Sequence, residues 1–126
     1  MRRGLTKPPL AQTVAPGASA IIQRATQVEI GDADVYLDAL GTAIDPVSNA
    51  NFATIRLRVN GVPFYPLEAV TSQIGTPSQF QKLPSPLYLG KGVSVEIFGE
   101  MDAGATGNTS MIAGFSLILT TPGERP

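Results

Sequence analysis

The stretch that decides the fold is Phe52-Ala53-Thr54-Ile55-Arg56-Leu57-Arg58-Val59, followed by Asn60-Gly61. Apolar and polar side chains alternate along it, so Ile55, Leu57 and Val59 share one face of an extended chain. Asn60-Gly61 is the kind of pair that best tolerates the positive φ angles of a two-residue hairpin turn. The sequence therefore predicts a β-strand that ends in a tight turn.

The period of two continues through the chain and indicates an all-β domain. The runs that share it are 10–15, 19–30, 34–40, 80–83, 86–89, 93–97 and 111–121. Residues 62–66 contain two prolines, which cannot donate ladder hydrogen bonds, so we expect an edge strand or an irregular ribbon there. Both faces of 111–121 are largely apolar, which places this strand in the middle of a sheet or at an interface. Residues 67–74 are the one helical candidate. About eight strands with turn residues between them are typical of a β-sandwich or barrel.

The apolar faces of these strands define the expected core. It includes Ile55, Leu57, Val59, Val93, Val95, Ile97, Phe115, Leu117 and Leu119. Burying one such side chain contributes about 1.5–3 kcal/mol, and burying a carboxylate there is costly, so we expect Leu117→Asp to unfold the domain. The polar, glycine-rich stretch 99–110 is expected to project as a loop from one end of the sandwich.

Charge divides the chain into two parts. Residues 1–28 carry a net charge of +4 and the remainder carries −5. The basic residues of the first part are Arg2, Arg3, Lys7 and Arg24. Three prolines in the first sixteen residues stiffen this segment and interrupt the apolar run that a secretory signal needs. We expect residues 1–18 to form an extended arm without regular structure, apart from a short β-run at 10–15, on a β-sandwich domain of residues 19–126.

The composition argues against an enzyme. There is no His to act as a general base and no Cys for a thiol nucleophile, a zinc–thiolate site or a disulfide. Charged residues make up 15% of the chain, against about 25% in an ordinary domain, which favours a surface partly covered by partners or copies of itself. A compact sandwich rich in uncharged polar residues is the alternative explanation. We expect no catalytic activity, no cofactor and, without a run of ~20 apolar residues, no membrane span.

Two groups of acidic residues are weighed as metal or catalytic sites and set aside. Asp32, Asp34 and Asp38 form the densest acidic cluster, but a calcium site needs several oxygen ligands wrapped around one point. Glu100 and Asp102 lie close together in a polar loop, where neither fixed separation nor burial prepares an acid–base pair. We expect no metal and no catalytic residue in either group.

Arg56 and Arg58 share the polar face of the 52–59 strand. Two explanations remain open, a solvated sheet face and bidentate ion pairs with an acidic partner. Both arginines are therefore candidate partner-binding residues.

Three segments lead to a family resemblance: the hairpin over 55–63, the segment 86–95 and the apolar last strand. With these segments, its length and its arm, the chain resembles the small jelly-roll cement or decoration proteins of tailed-bacteriophage capsids. The resemblance implies a jelly-roll-like β-sandwich that forms a dimer or trimer on the capsid exterior of a virion. It also implies a structural role, in which the protein binds and stabilises the shell of the major capsid protein.

Proteins of other classes are alternatives. A tail or head-fibre component would bind a host-surface carbohydrate through the 99–110 loop, although the chain has no Trp to stack on a sugar. A small self-assembling coat protein would place its arm on RNA, although Arg2, Arg3 and Lys7 supply few phosphate contacts and the body is acidic. We therefore do not expect nucleic acid as a partner. A small hydrolase would need an acid–base pair that the sequence does not supply.

The capsid resemblance implies that the arm lies across a neighbouring subunit. The residues assigned to this contact are Arg2, Arg3, Leu5, Lys7, Leu10 and Val14. Exposed ion pairs contribute only ~0–1 kcal/mol each, so the three apolar side chains are expected to fill grooves of the partner. Deleting residues 2–10 is then expected to leave the melting temperature of the domain unchanged and to weaken attachment.

Overall fold

The computed structural model describes residues 2–45, 47–64 and 80–124. In this part of the chain, eight strands form two antiparallel sheets of four. The strands are β1 (Arg2–Val14), β2 (Ser19–Ala25), β3 (Asp34–Asp45), β4 (Ala53–Val59), β5 (Val62–Pro63), β6 (Gln81–Lys91), β7 (Val95–Met101) and β8 (Thr109–Thr120). A short helix α1 (Gln27–Ile30) follows β2, and a 3-10 helix (Val47–Phe52) precedes β4.

The strand order is β1-β8-β3-β6 in the first sheet and β2-β7-β4-β5 in the second. Strands pair as if the chain were folded in half, β1 with β8, β2 with β7, β3 with β6 and β4 with β5. Two further pairs, β3 with β8 and β4 with β7, join these hairpin-like units into sheets. This winding is that of an eight-stranded jelly roll. The predicted all-β sandwich of jelly-roll type is confirmed.

The core lies between the inner faces of the two sheets. Eight of the nine predicted core residues are buried, and Val59 is half-buried near the end of β4. β8 is flanked by β1 and β3, as expected for a strand that is apolar on both faces. The loop before β8 is shorter than predicted and spans 102–108, because β7 continues to Met101.

The predicted hairpin turn is confirmed. Asn60 and Gly61 both have positive φ, 53° and 78°, and connect β4 to β5. The Asn60 side chain fixes the turn to the chain before β7, since its Oδ1 accepts the backbone N–H of Ser94 at 2.9 Å. The helical candidate 67–74 lies outside the described residues.

The run 19–30 is not one strand, contrary to the prediction. β2 ends at Ala25, and Thr26 caps the first turn of α1. The Thr26 hydroxyl accepts the Glu29 backbone N–H at 3.3 Å, and Glu29 Oε2 accepts the Thr26 backbone N–H at 2.9 Å. The backbone N–H groups of Thr26 and Glu29 are thus bonded within the helix start and are not available to a neighbouring strand. The β2 strand therefore ends here.

The arm is also not irregular, contrary to the prediction. Residues 2–14 form β1, which pairs with β8 along nearly its whole length, from Arg2 opposite Thr120 to Val14 opposite Thr109. The segment is extended, as expected, but its backbone groups bond within its own sheet. The physical reason is that, among the strands that the structure describes, β8 is otherwise paired with β3 alone, and β1 supplies its second neighbour.

A β-bulge accommodates the two prolines of β1. Lys7 lies opposite Phe115 and Leu10 lies opposite Ala113, so Pro8 and Pro9 together oppose Gly114. Pro cannot donate a ladder hydrogen bond, and a bulge is a position in a strand where that loss is tolerated. A Cβ at Gly114 would lie 2.9 Å from both Lys7 O and Pro9 N, so a side chain there would collide with the bulge.

Candidate partner-binding surface

β1 is an edge strand whose side chains alternate between the two faces of the first sheet. Arg3, Leu5 and Lys7 lie opposite Leu119, Leu117 and Phe115, which are all buried inner-face residues. The two cations therefore point toward the second sheet at the open side of the sandwich. Inward-pointing charges are one of the devices by which proteins protect an edge strand from pairing at random.

Glu29 anchors Arg3 and Lys7, the two inward-pointing cations of the arm. Lys7 Nζ donates to Glu29 Oε1 at 2.8 Å, and Arg3 Nη2 donates to the Glu29 backbone carbonyl at 2.9 Å. The hydrogen bond from Lys7, followed by that from the Thr26 N–H, holds the pKa of the Glu29 carboxyl below its ordinary value of 4.5. Arg3 and Lys7, two of the residues assigned to a partner, thus contact a carbonyl and a carboxylate of their own chain.

The apolar side chains assigned to the partner occupy three different environments. Val14 is 2% exposed and belongs to the core, so its assignment to a partner groove is corrected. Leu5 is half-buried and packs against the same core. Leu10 follows the bulge and is 47% exposed, which leaves it available for contact. All three face the inner side of the first sheet, since they lie opposite Leu117, Ala113 and Thr109, so they differ in exposure and not in face.

An open groove runs between β1 and β2, and we call it the arm-side groove. It encloses about 460 Å³ and is lined by Lys7, Leu10, Gln12, Ile21, Ile22, Gln23, Arg24, Thr26 and Glu29. Leu10 lies on the β1 side and Ile21, 37% exposed, lies on the β2 side. Gln23 links the strands, since its Nε2 donates to Pro8 O at 2.5 Å and its Oε1 accepts the Arg24 N–H at 2.9 Å. The groove therefore combines exposed apolar surface with a fixed polar link.

The groove also carries a cation that no carboxylate neutralises. Arg24 is exposed and lies opposite Glu96 in the β2–β7 ladder, but Glu96 Oε1 bonds to Arg58 Nε at 3.0 Å. Within the described ranges, neither Arg24 nor Arg2 forms an ion pair. The guanidinium of Arg24 is thus available to a negatively charged ligand at this groove.

Arg56 and Arg58 lie on the outer face of the second sheet, where each has a partner. Arg56 Nε is 3.2 Å from Glu100 Oε1. Arg58 bonds to Glu96 and to Gly61 O, and its guanidinium lies 4.3 Å above the centre of the Phe98 ring. These cross-strand contacts occupy both arginines, so the solvated, self-paired sheet face explains them without an external partner.

Asp34 and Asp102, two of the acidic residues that were set aside, are used in local contacts. Asp34 begins β3 and accepts hydrogen bonds from Tyr88 Oη at 3.1 Å and Gly123 N at 2.8 Å. The pKa of the Tyr88 phenol is raised, mainly by partial loss of solvent around the ring and then by its hydrogen bond to the Asp34 carboxylate. Asp102 Oδ1 accepts the Gly104 N–H at 2.9 Å. Across the described residues, no three acidic side chains come together in a way that could hold a metal ion.

The sequence interpretation missed Ile21, Gln23, Arg24 and Glu29. Glu29 could have been recognised from the sequence, because Thr26-Gln27-Val28-Glu29 has the spacing of a capping box. The others depend on how the edges of two different sheets meet, which no local pattern encodes.

No family model matches this chain, and no curated protein is significantly similar to it. A search of the described residues for a helix with the length and hydrophobicity to cross a membrane finds none.

Proposed function

We propose that this chain is a non-enzymatic structural protein of a virion, a decoration protein that binds the outside of the capsid and stabilises the shell of the major capsid protein. In this proposal it acts as a homo-oligomer, a dimer or trimer, so that several weak contacts combine on one particle. The jelly-roll architecture, the low charge and the absence of His and Cys from the sequence all favour attachment over chemistry.

The observation that carries the proposal is the arm-side groove. It brings two exposed large apolar side chains, Leu10 and Ile21, together with Arg24 beside the free edge of β1. Exposed apolar surface rimmed by polar groups is typical of a protein-binding site. The role assigned to the arm also changes: β1 serves as one wall of the site instead of reaching across a neighbour.

Co-sedimentation with capsids tests the proposal. The chain is mixed with assembled capsids of the virus that encodes it, prepared without this protein, and the bound fraction and the thermal stability of the shell are measured. We expect saturable binding and a shell that opens at a higher temperature. If the chain stays in the supernatant at every concentration, the decoration role is wrong.

A pair of variants locates the contact. Leu10→Asp/Ile21→Asp places two carboxylates in the groove, and Val62→Asp changes an apolar residue of β5 that is 59% exposed. All three positions are exposed, so folding should survive each change. We expect the groove variant to lose capsid binding and Val62→Asp to retain it. Equal binding by both variants would remove the groove from the proposal.

A further inference from the structure

We propose that the arm-side groove takes an extended, acidic segment of a partner protein, which adds as a further strand to the free edge of β1. The inference rests on the proposed function in one respect, since it gives the chemical class of the shell segment that the decoration protein would hold.

The first argument is the free edge itself. β1 ends the order of its sheet and, within the described ranges, pairs with β8 alone. Outside that ladder, one hydrogen bond from the described part of the chain reaches its backbone, from Gln23 Nε2 to Pro8 O. A row of unpaired N–H and C=O groups is the template that peptides use when they add a strand to a sheet.

The other edges are less suitable. β5 has two residues, and β2 has seven, with a register shift between Ile21 and Gln23. β6 skips from Leu87, opposite Leu37, to Lys82, opposite Ala39. The intervening residues 83–86 of β6 contain two prolines, which interrupt any regular pairing. β1 departs from regular pairing at a single bulge and continues for thirteen residues.

The second argument is the side chains along the groove. Leu10 and Ile21 lie on its two walls and are 47% and 37% exposed, so the groove presents apolar surface rimmed by polar side chains. Alternate side chains of an added strand point to one face, so every second residue of the ligand would reach this apolar surface.

The third argument is charge, and it selects the ligand. β1 carries three cations and no carboxylate. Glu29 neutralises Lys7, but Arg3 bonds only to a carbonyl, and Arg24 across the groove has no ion pair among the described residues. A second copy of β1 would bring three more cations and no carboxylate, so it supplies nothing to neutralise these guanidinium groups. Carboxylates on the added strand instead complement these guanidinium groups.

Peptide binding to the full chain tests the inference. The probe is a fluorescein-labelled six-residue peptide alternating Glu and Val, measured by fluorescence anisotropy. Two controls match it: a peptide alternating Lys and Val, and the acidic peptide N-methylated at alternate amides, which cannot donate to a strand edge. We expect the acidic peptide to bind about tenfold more tightly than the basic one, and N-methylation to abolish binding.

Arg24→Glu and Lys82→Glu form the matched pair of variants, since both reverse one exposed cation and Lys82 lies on the opposite edge of the first sheet. We expect Arg24→Glu to weaken binding of the acidic peptide about tenfold and Lys82→Glu to leave its affinity unchanged. Equal binding of the acidic and basic peptides, full binding after N-methylation, no binding at all, or equal losses from the two variants would each overturn the inference.

The two proposals can fail separately. If the chain sediments with capsids but does not bind the acidic peptide, the decoration role stands and the proposed acidic ligand of the groove is wrong. A chain that binds the acidic peptide but not capsids loses the decoration role alone. Sedimentation velocity of the free chain covers the remaining occupant: a dimer that Leu10→Asp disrupts would assign the groove to a second copy and contradict the inference.

Discussion

β1 and β6 form the two edges of the same four-stranded sheet and use the same residue types differently. Each contains two prolines and exposed or inward-pointing cations, the usual means of discouraging unwanted strand pairing. In β6 the prolines fall in a stretch of four residues that skips the ladder, whereas in β1 they fit a compact bulge opposite Gly114. The difference shows that proline-rich composition does not by itself exclude a strand, because the partner strand decides whether the prolines can be accommodated.

Removing the first half of β1 should have the largest effect. Deleting residues 2–7 strips one side of β8 and removes Leu5 from the core, so we expect a loss of about 2–4 kcal/mol and a melting temperature lower by roughly 10 °C. Differential scanning calorimetry measures both. This replaces the expectation, drawn from the sequence, that the arm is dispensable for folding.

The control for the deletion keeps the strand and removes charge. Arg2→Gln/Arg3→Gln retains every backbone group of β1, so its melting temperature should stay within a degree or two of the wild-type value. If the deletion lowers the melting temperature no more than this double substitution does, β1 contributes no stability to the sheet, and the contrast drawn between β1 and β6 is wrong.

Gly114→Ala should have an intermediate effect. A Cβ here would lie 2.9 Å from Lys7 O and from Pro9 N. It would also lie 2.7 Å from Cζ of Phe80, the residue that precedes β6. Relieving these contacts requires the bulge and the Phe80 ring to move, at a cost of about 1–3 kcal/mol. Chemical denaturation gives the value, and Ser116→Ala on the same face of β8 is the matched control, expected to change stability by less than about 0.5 kcal/mol. A neutral Gly114→Ala would contradict the bulge.

The smallest effect concerns the lysines of the two edges. Lys7→Met removes the ion pair with Glu29 and should cost about 0.5–1 kcal/mol at neutral pH, whereas Lys82→Met, on β6, should cost almost nothing. The pKa of Glu29 is lowered in the folded chain, so the stabilisation is complete above its ordinary value of 4.5 and is lost as the pH falls through the lowered folded value. The difference between the two variants should therefore shrink in acid. A difference independent of pH would rule out the ion pair as its cause.

Elements with a regular period and a decisive turn could be predicted from the sequence. β4, the turn at Asn60-Gly61 and the doubly apolar β8 are local patterns, and together they indicate a sandwich. The part of β1 before residue 10 could not be predicted, because Pro8 and Pro9 disfavour a strand unless a residue without a side chain lies opposite them. That residue, Gly114, lies more than a hundred positions away in the chain.

The candidate site was less predictable for the same reason. Lys7 and Leu10 were identified as contact residues, but their true neighbours are Glu29 and Ile21, which come from the region of β2 and α1. The partners of Arg56 and Arg58 are likewise set by the register of β4 against β7, which places glutamates on adjacent positions of the same face. Register depends on how the strands pair in the whole fold, so alternation along one strand does not determine which residues lie opposite each other.

Amide hydrogen exchange in β1 tests the central claim most directly. If the arm is built into the sheet against β8, alternate backbone N–H groups in residues 3–7 should be protected in the free chain, while those on the outer edge exchange fast. Adding the acidic peptide should then slow the outer set. Uniform exchange of residues 3–7 at the rate of an unstructured peptide would contradict the account, because β1 would then be neither a strand of the sheet nor an edge that a partner could extend.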